Sequence, residues 1–257
     1  MTTPTPTPWN LRVIRLTFFP LISEITNEVD FSNLWQNSLE NIEIYSNEFK
    51  PKDQQRTIIG YLDNIEYRLE IDPIRINLVI KPKEDILVTE NKTVILADLG
   101  NTEEVIGNYK TLFSSILEKN SIHFKRIAIG MILHSKGDTR EETYKILAKN
   151  LPFVKISSTD FKEFRMSLNK DVLVPKIGES IENLLINKIT NWAALKLDGA
   201  LSRDGIEVSL TQSNYAQLEL DINTDKSNEN DLYEESISIN EKLFEYCQSI
   251  IKDGLNE

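Results

Sequence analysis

The chain reads as an α+β protein of two similar halves, each an antiparallel sheet packed with two helices. Three observations carry that expectation. Thr102–Lys119 and Asp231–Asp253 are amphipathic helices, and each closes a run of strand-like sequence. Before each lies the same order: one long strand, a short helix, then several strands. No βα alternation runs through the chain, which argues against a doubly wound parallel sheet. The boundaries that follow are a flexible Thr/Pro tail over residues 1–9, an N-terminal half over 10–120 and a C-terminal half over 121–257.

In the first half, Leu11–Phe19 (LRVIRLTFF) alternates at period 2 and ends in aromatics, as a strand does. Asp30 stands where an N-cap belongs, ahead of a short helix Phe31–Leu39 that places Phe31, Leu34, Trp35 and Leu39 on one side. Ile42–Phe49 is a second strand. Arg56–Leu62 and Ile65–Ile71 flank Asp63-Asn64, residues that tolerate the positive φ of a tight hairpin turn. Asp72-Pro73 turns the chain again into Arg75–Lys81. A charged loop, Lys81–Lys92, leads to a last strand, Thr93–Asp98. Helix Thr102–Lys119 then carries Val105, Ile106, Tyr109, Leu112, Phe113, Ile116 and Leu117 as one apolar stripe, with Asn101 and Glu104 in capping-box spacing.

The second half opens on His123–His134, apolar through its middle and therefore a central strand. Gly137-Asp138 breaks it and Thr139 caps the helix Arg140–Lys149. Asp160–Asn169 alternates roughly and is assigned as a strand; Gly178–Leu185 is left unassigned. Leu185–Leu197, Ile206–Ser213 and Tyr215–Ile222 follow as strands. After the polar linker Asn223–Asn230, Asp231 stands as the cap of the closing helix, with Glu234 at box spacing.

Composition narrows the function classes. A chain of 257 residues needs no staples to form a core, and 40% hydrophobic with 27% charged residues is ordinary for a globular protein. The longest apolar runs, such as Ile127–Leu133, fall far short of the roughly 20 residues of a membrane helix. MTTPTPTPW lacks the basic and apolar regions of a secretory signal. One cysteine, Cys247, excludes an internal disulfide and fits a reducing cytoplasm, while the Asn-, Ile- and Lys-rich usage hints at an AT-rich bacterial gene. The net charge of −11 disfavours non-specific binding to nucleic acid, since that affinity comes from Lys and Arg displacing counterions. The excess is concentrated late: from Glu219 onward there are eleven acidic and three basic residues.

Catalytic constellations are sparse. His123 and His134 stand at opposite ends of one strand, more than about 30 Å apart at 3.3 Å per residue, and cannot share a metal or a proton relay. Asp98-Leu99-Gly100-Asn101-Thr102 looks like the phosphate turn of acetate-kinase/actin-type phosphotransferases, but it leads into a capped helix and reads as a strand–turn–helix junction. Glu66, Glu70 and Asp72 alternate on one strand face with Arg68 among them. They form the alternative catalytic set, that of a metal-dependent nuclease or phosphohydrolase. The plainer reading is a solvated strand face. Glu234, Glu235, Glu241 and Glu245 on the acidic C-terminal helix are the candidate partner-binding residues. No pattern points to a resident metal or a cofactor.

Leu218-Glu219-Leu220-Asp221-Ile222, followed by the polar linker and Leu232 through Ile251, resembles the C-terminus of an uncharacterised, sporadically distributed prokaryotic family of about this length. Asp160-Phe161 and the early Leu11–Phe19 strand add to the likeness. The resemblance implies a cytoplasmic bacterial protein, and such families often sit in phage-defence or accessory gene clusters. The expected function is a non-enzymatic interaction or regulatory subunit of a bacterial complex, in phage defence or a toxin–antitoxin-like system. Its partner is another protein, with no direct nucleic-acid or membrane contact. A third expectation makes the acidic C-terminus a nucleic-acid mimic.

Overall fold

A computed structural model describes residues 8–21, 31–159, 163–198, 200–203, 206–209, 211–228 and 230–255. Along the chain the elements are β1 (Asn10–Pro20), α1 (Phe31–Ser38), β2 (Ile44–Lys50), β3 (Gln55–Leu62), β4 (Ile65–Asp72), β5 (Arg75–Pro82), β6 (Ile86–Val88), β7 (Val94–Leu96) and α2 (Thr102–Lys119). Then follow β8 (Phe124–Gly137), α3 (Arg140–Asn150), β9 (Arg165–Ile177), β10 (Ile181–Leu197), β11 (Ala200–Arg203), β12 (Ile206–Ser209), β13 (Ser213–Thr224) and α4 (Ser236–Asp253).

Strands of both expected halves join in one main sheet, so the expected pair of similar halves, each a sheet with its own two helices, is corrected. Nine strands form one sheet in the order β2-β3-β4-β5-β1-β8-β13-β10-β9, and every adjacent pair is antiparallel. The opening strands of the two expected halves, β1 and β8, are hydrogen-bonded to each other at its centre. The physical reason is the backbone. Either strand left as an edge would expose a row of unpaired N–H and C=O groups beside aliphatic side chains. Strand β7, expected as a member of the main sheet, instead pairs with β6 in a separate ribbon.

One face of the sheet is aliphatic. Ile14, Leu16 and Phe18 of β1 stand in register with Met131, Ile129 and Ile127 of β8, all buried. Leu218, Leu220 and Ile222 of β13 continue this layer, as do Leu78 and Ile80 of β5. The helices cover it. Helices α2 and α4 cross through Phe113 and Phe244, whose ring centroids are 5.9 Å apart, and α4 also packs on β8 and β13. Trp9, Trp35 and Trp192 are all buried on this side, with Trp9 edge-on to Trp192. Trp9 belongs to the expected mobile tail yet is packed; residues 1–7 of that tail lie outside the described residues.

Local signals set the helix ends unequally. Helix α2 spans the predicted residues, and Asn101 Oδ1 accepts from the Glu103 N–H at 2.9 Å. Helix α4 starts at Ser236, five residues later than its sequence suggests, because Asp231 is engaged elsewhere. Its carboxylate contacts His123 and accepts from the Tyr233 N–H, while Leu232 N donates to Phe124 O at 2.8 Å. That ties the segment to the start of β8, and it turns over residues 233–235 before the helix begins. Strand β9 begins at Arg165, later than expected, and 160–162 of the predicted strand fall outside the described residues.

Phe113→Ala and Phe244→Ala should each cost about 3–5 kcal/mol, the usual loss for a fully buried ring. The double variant should fall short of their sum, because the rings touch each other. Urea unfolding of the three variants measures both.

The helix-free face as candidate functional site

Alternation along each strand places a second set of side chains on the face that no described helix covers, and this set is polar. Register pairing arranges it in crosswise rows. The first row is Arg68, Val79, Arg15, Gly130, Asp221, Ile189 and Asn169, one residue each from β4, β5, β1, β8, β13, β10 and β9. Glu66, Lys81, Val13, Ile132, Glu219, Asn191 and Ser167 form the row on one side. Glu70, Asn77, Thr17, Ala128, Asn223, Asn187 and Asp171 form the row on the other.

At the centre the rows are low, and the cause is Gly130. A Cβ there would lie 3.1–3.3 Å from the Arg15 guanidinium, so the glycine is what lets the arginine lie across β8 toward β13. Arg15 Nη2 donates to Asp221 Oδ2 at 3.3 Å, both side chains being 38% exposed. Asp221 Oδ1 accepts from Asn223 Nδ2 at 2.8 Å, and Asn223 Oδ1 accepts from Arg126 Nη2 at 2.8 Å and Asn187 Nδ2 at 3.2 Å. Asn187 also donates to Asp225 at 2.9 Å. The Arg126 guanidinium stacks 4.6 Å above the Phe19 ring. A depression of about 300 Å³ lies over Arg15, Gly130, Ile189 and Asp221. It meets a second, of about 550 Å³, at Asn191 and Glu219, which extends over Arg165, Ser167 and Gln217. With neighbouring strands about 4.8 Å apart, the trough from β5 to β9 is about 24 Å long.

Buried polar atoms without a partner concentrate here. Among the described residues, five buried side-chain polar atoms have no hydrogen-bond partner. Four belong to this face: Nε of Arg12, Arg15 and Arg126, and Nδ1 of His134. Buried polar atoms ordinarily find partners, and these four are exceptions on this face.

The residues named from the sequence are distributed differently. Glu66 is buried on β4 and bonded to Arg68 (Nη2–Oε1, 2.7 Å), and the same guanidinium reaches Glu70 at 3.7 Å. Asp72 stands apart, accepting from the Ile74 and Arg75 amides and from Arg75 Nε in its own turn. Glu66 and Glu70 are thus brought together on one arginine and Asp72 is not. Among the described residues no group of three His, Cys, Asp or Glu side chains is placed to hold a metal ion.

On α4, Glu241 pairs with Lys110 at 3.4 Å and Glu245 with Lys242 at 2.7 Å, while Glu234 is exposed. Glu235 accepts from the Glu179 and Ser180 amides and from Ser180 Oγ, all within 2.9 Å. These bonds, the Ser180 hydroxyl foremost, hold its carboxyl below the usual value. They also clamp the β9–β10 turn, where Gly178 (φ +59°) leaves no room for a Cβ beside that carboxylate.

His123 and His134 stand at the two ends of β8, each beside an aspartate. Asp98 accepts from Asn10 at 2.8 Å and the Gly100 amide at 3.0 Å, with His134 Nε2 at 3.3 Å. Burial raises its carboxyl, but the bonds from His134, Asn10 and Gly100 outweigh that and leave it below 3.8. The Asp98–Thr102 string is therefore a junction: it fastens the approach to α2 across the ends of β1 and β8.

Arg15, Asp221, Asn223 and Asn191 were not singled out from the sequence. The available signal was Gly130 within the apolar strand IAIGMIL, since an interior strand glycine marks close approach of another group. No protein-family model matches the chain, and no curated protein matches it. No helix among the described residues is long and apolar enough to cross a membrane.

Two outcomes test this geometry. Gly130→Ala should displace the Arg15 guanidinium, read as loss of Arg15–Asp221 coupling in a double-mutant cycle; that coupling should be about 0–1 kcal/mol in the parent, as for other half-exposed pairs. Asp225 is held at about 2 by the Ser227 hydroxyl and amide and by Asn187. A carboxyl depressed in the folded state stabilises above its unfolded value and loses that contribution as pH falls through the folded one. The stability gap between the parent and Asp225→Asn should therefore be constant near neutrality and close between about pH 4 and pH 2.

Proposed function

We propose that this protein is a non-catalytic interaction or regulatory subunit that binds another protein through the helix-free sheet face. One observation carries the reading: rows of mixed-sign side chains cross the sheet around a shallow trough on the side that no described helix covers. Arg15, Arg126, Arg68 and Lys81 share the face with Glu66, Glu70, Glu219 and Asp221. A uniform polyanion would meet those carboxylates unfavourably, whereas a protein surface can offer both signs in register. The acidic helix α4 is a weaker candidate, because Glu235, Glu241 and Glu245 already serve partners within the chain. The Glu66, Glu70 and Asp72 set is likewise committed to arginines and to a turn.

Exchanging the central pair tests the proposal without removing the internal attraction. In the Arg15→Asp, Asp221→Arg double variant the pair persists but the charges presented to a partner are inverted. Native co-purification of the tagged full-length chain should recover a partner with the parent and lose it with the double variant, circular dichroism being unchanged. A parent that always isolates alone, or a folded double variant that keeps its partner in equal yield, overturns the proposal.

A further inference from the structure

On the opposite face, the inner row of the outermost strand pair is interrupted by two lysines facing each other. Lys170 of β9 and Lys188 of β10 are direct register partners, with Leu168 and Thr190 on one side and Val172 and Ile186 on the other. Like charges directly opposite in an antiparallel pair repel. Among the described residues neither amine has a carboxylate partner, although the chain holds 40 acidic side chains against 29 basic ones. The neighbouring carboxylate, Asp171, projects to the other face opposite Asn187.

Helix α4 adds to the cluster. Lys188 Nζ lies 4.8 Å from the centroid of the Tyr246 ring, and Lys242 Nζ lies 5.3 Å from the same centroid. Two ammonium groups therefore flank one aromatic ring, and Lys170 faces the first of them, Lys188, across the strand pair. The carboxylate among them, Glu245, is bonded to Lys242 at 2.7 Å. The local balance is two uncompensated positive charges in an acidic protein. Burial, reinforced by Lys170, holds the Lys188 amine below its usual value, the response of an ammonium that lacks a counter-ion.

We propose that Lys188 and Lys242 beside Tyr246, with Lys170 facing Lys188 across the outer strand pair, form a binding site for a doubly charged oxyanion of the phosphate-monoester class. Such a group neutralises the local excess. It also supplies the acceptor oxygens that three ammonium groups can engage together. The site lies on the face opposite the proposed protein-binding surface and does not depend on it.

Thermal unfolding of the full-length protein at pH 7.5 tests the site with inorganic phosphate as probe, against sodium chloride at matched ionic strength. Phosphate should raise the Tm saturably by at least about 2 °C, with no matching rise in chloride. Lys188→Met should raise the Tm in chloride, by relieving the facing pair, and abolish the phosphate response. If that variant does not fold, Lys170→Met, at an exposed position, takes its place. Phosphoserine competing with phosphate assigns a soluble ester. Sedimentation with phosphatidic acid vesicles, lost in the variant, assigns a lipid headgroup. A parent without a saturable phosphate response, or a variant with the parent's response, overturns the proposal.

Discussion

Antiparallel pairing of β1 with β8 is the constraint on which the remaining structure rests. It joins the first strand to one from the middle of the sequence in one continuous hydrogen-bonded surface, so that β1 and β8 are inner strands and not edges. Its register decides which side chains face which way. Leu16 meets Ile129 on the covered side, and Arg15 meets Gly130 on the open side. A slip of one residue would drive Arg15 into the aliphatic layer and expose Leu16. The aliphatic layer therefore enforces the polar one.

Covering that layer is shared work. Helices α2 and α4 press on each other through Phe113 and Phe244, and Asn240 Nδ2 donates to Ser114 Oγ across the same contact. The start of α2 is tied to β1, where Trp9 O accepts from both Thr102 N and its hydroxyl. Asp98 adds a second tie, through Asn10 and His134. Among the described residues the sheet ends at β2 and β9, whose outer backbones have no strand partner there. Both strands carry the usual deterrents to further pairing: a register irregularity with Glu48 and Lys50 in β2, and Lys170, Pro175 and Lys176 in β9. Those deterrents disfavour further strand pairing at either edge.

The two faces divide the chemistry. On the open side, charges of both signs are linked through Asn223, Asn187 and Asp221, and several guanidinium donors have no partner within the chain. On the covered side, polar groups are few, and the lysine cluster beside Tyr246 stands out by its lack of counter-ions. Neither cluster contains a nucleophile aligned with a base, which is why both are read as binding features.

The sequence by itself determined the local elements. Helix α2 with its Asn101 cap, the β3–β4 hairpin at Asp63-Asn64 and the apolar β8 each follow from periodicity and turn chemistry within a few neighbouring residues. It misjudged two elements that distant side chains hold: Asp231 meets His123, so α4 starts late, and Val94–Leu96 is bonded by Ser213 and Tyr215 and pairs with its neighbour Ile86–Val88 outside the main sheet. The union of all nine strands and the identity of the open face were decided only in three dimensions. A polar residue at alternate strand positions says that one side faces water, and Arg15 and Asp221 read that way individually. That they meet across Gly130 depends on two long-range pairings, β1 with β8 and β8 with β13, whose hydrogen bonds carry no residue-specific signature in the sequence.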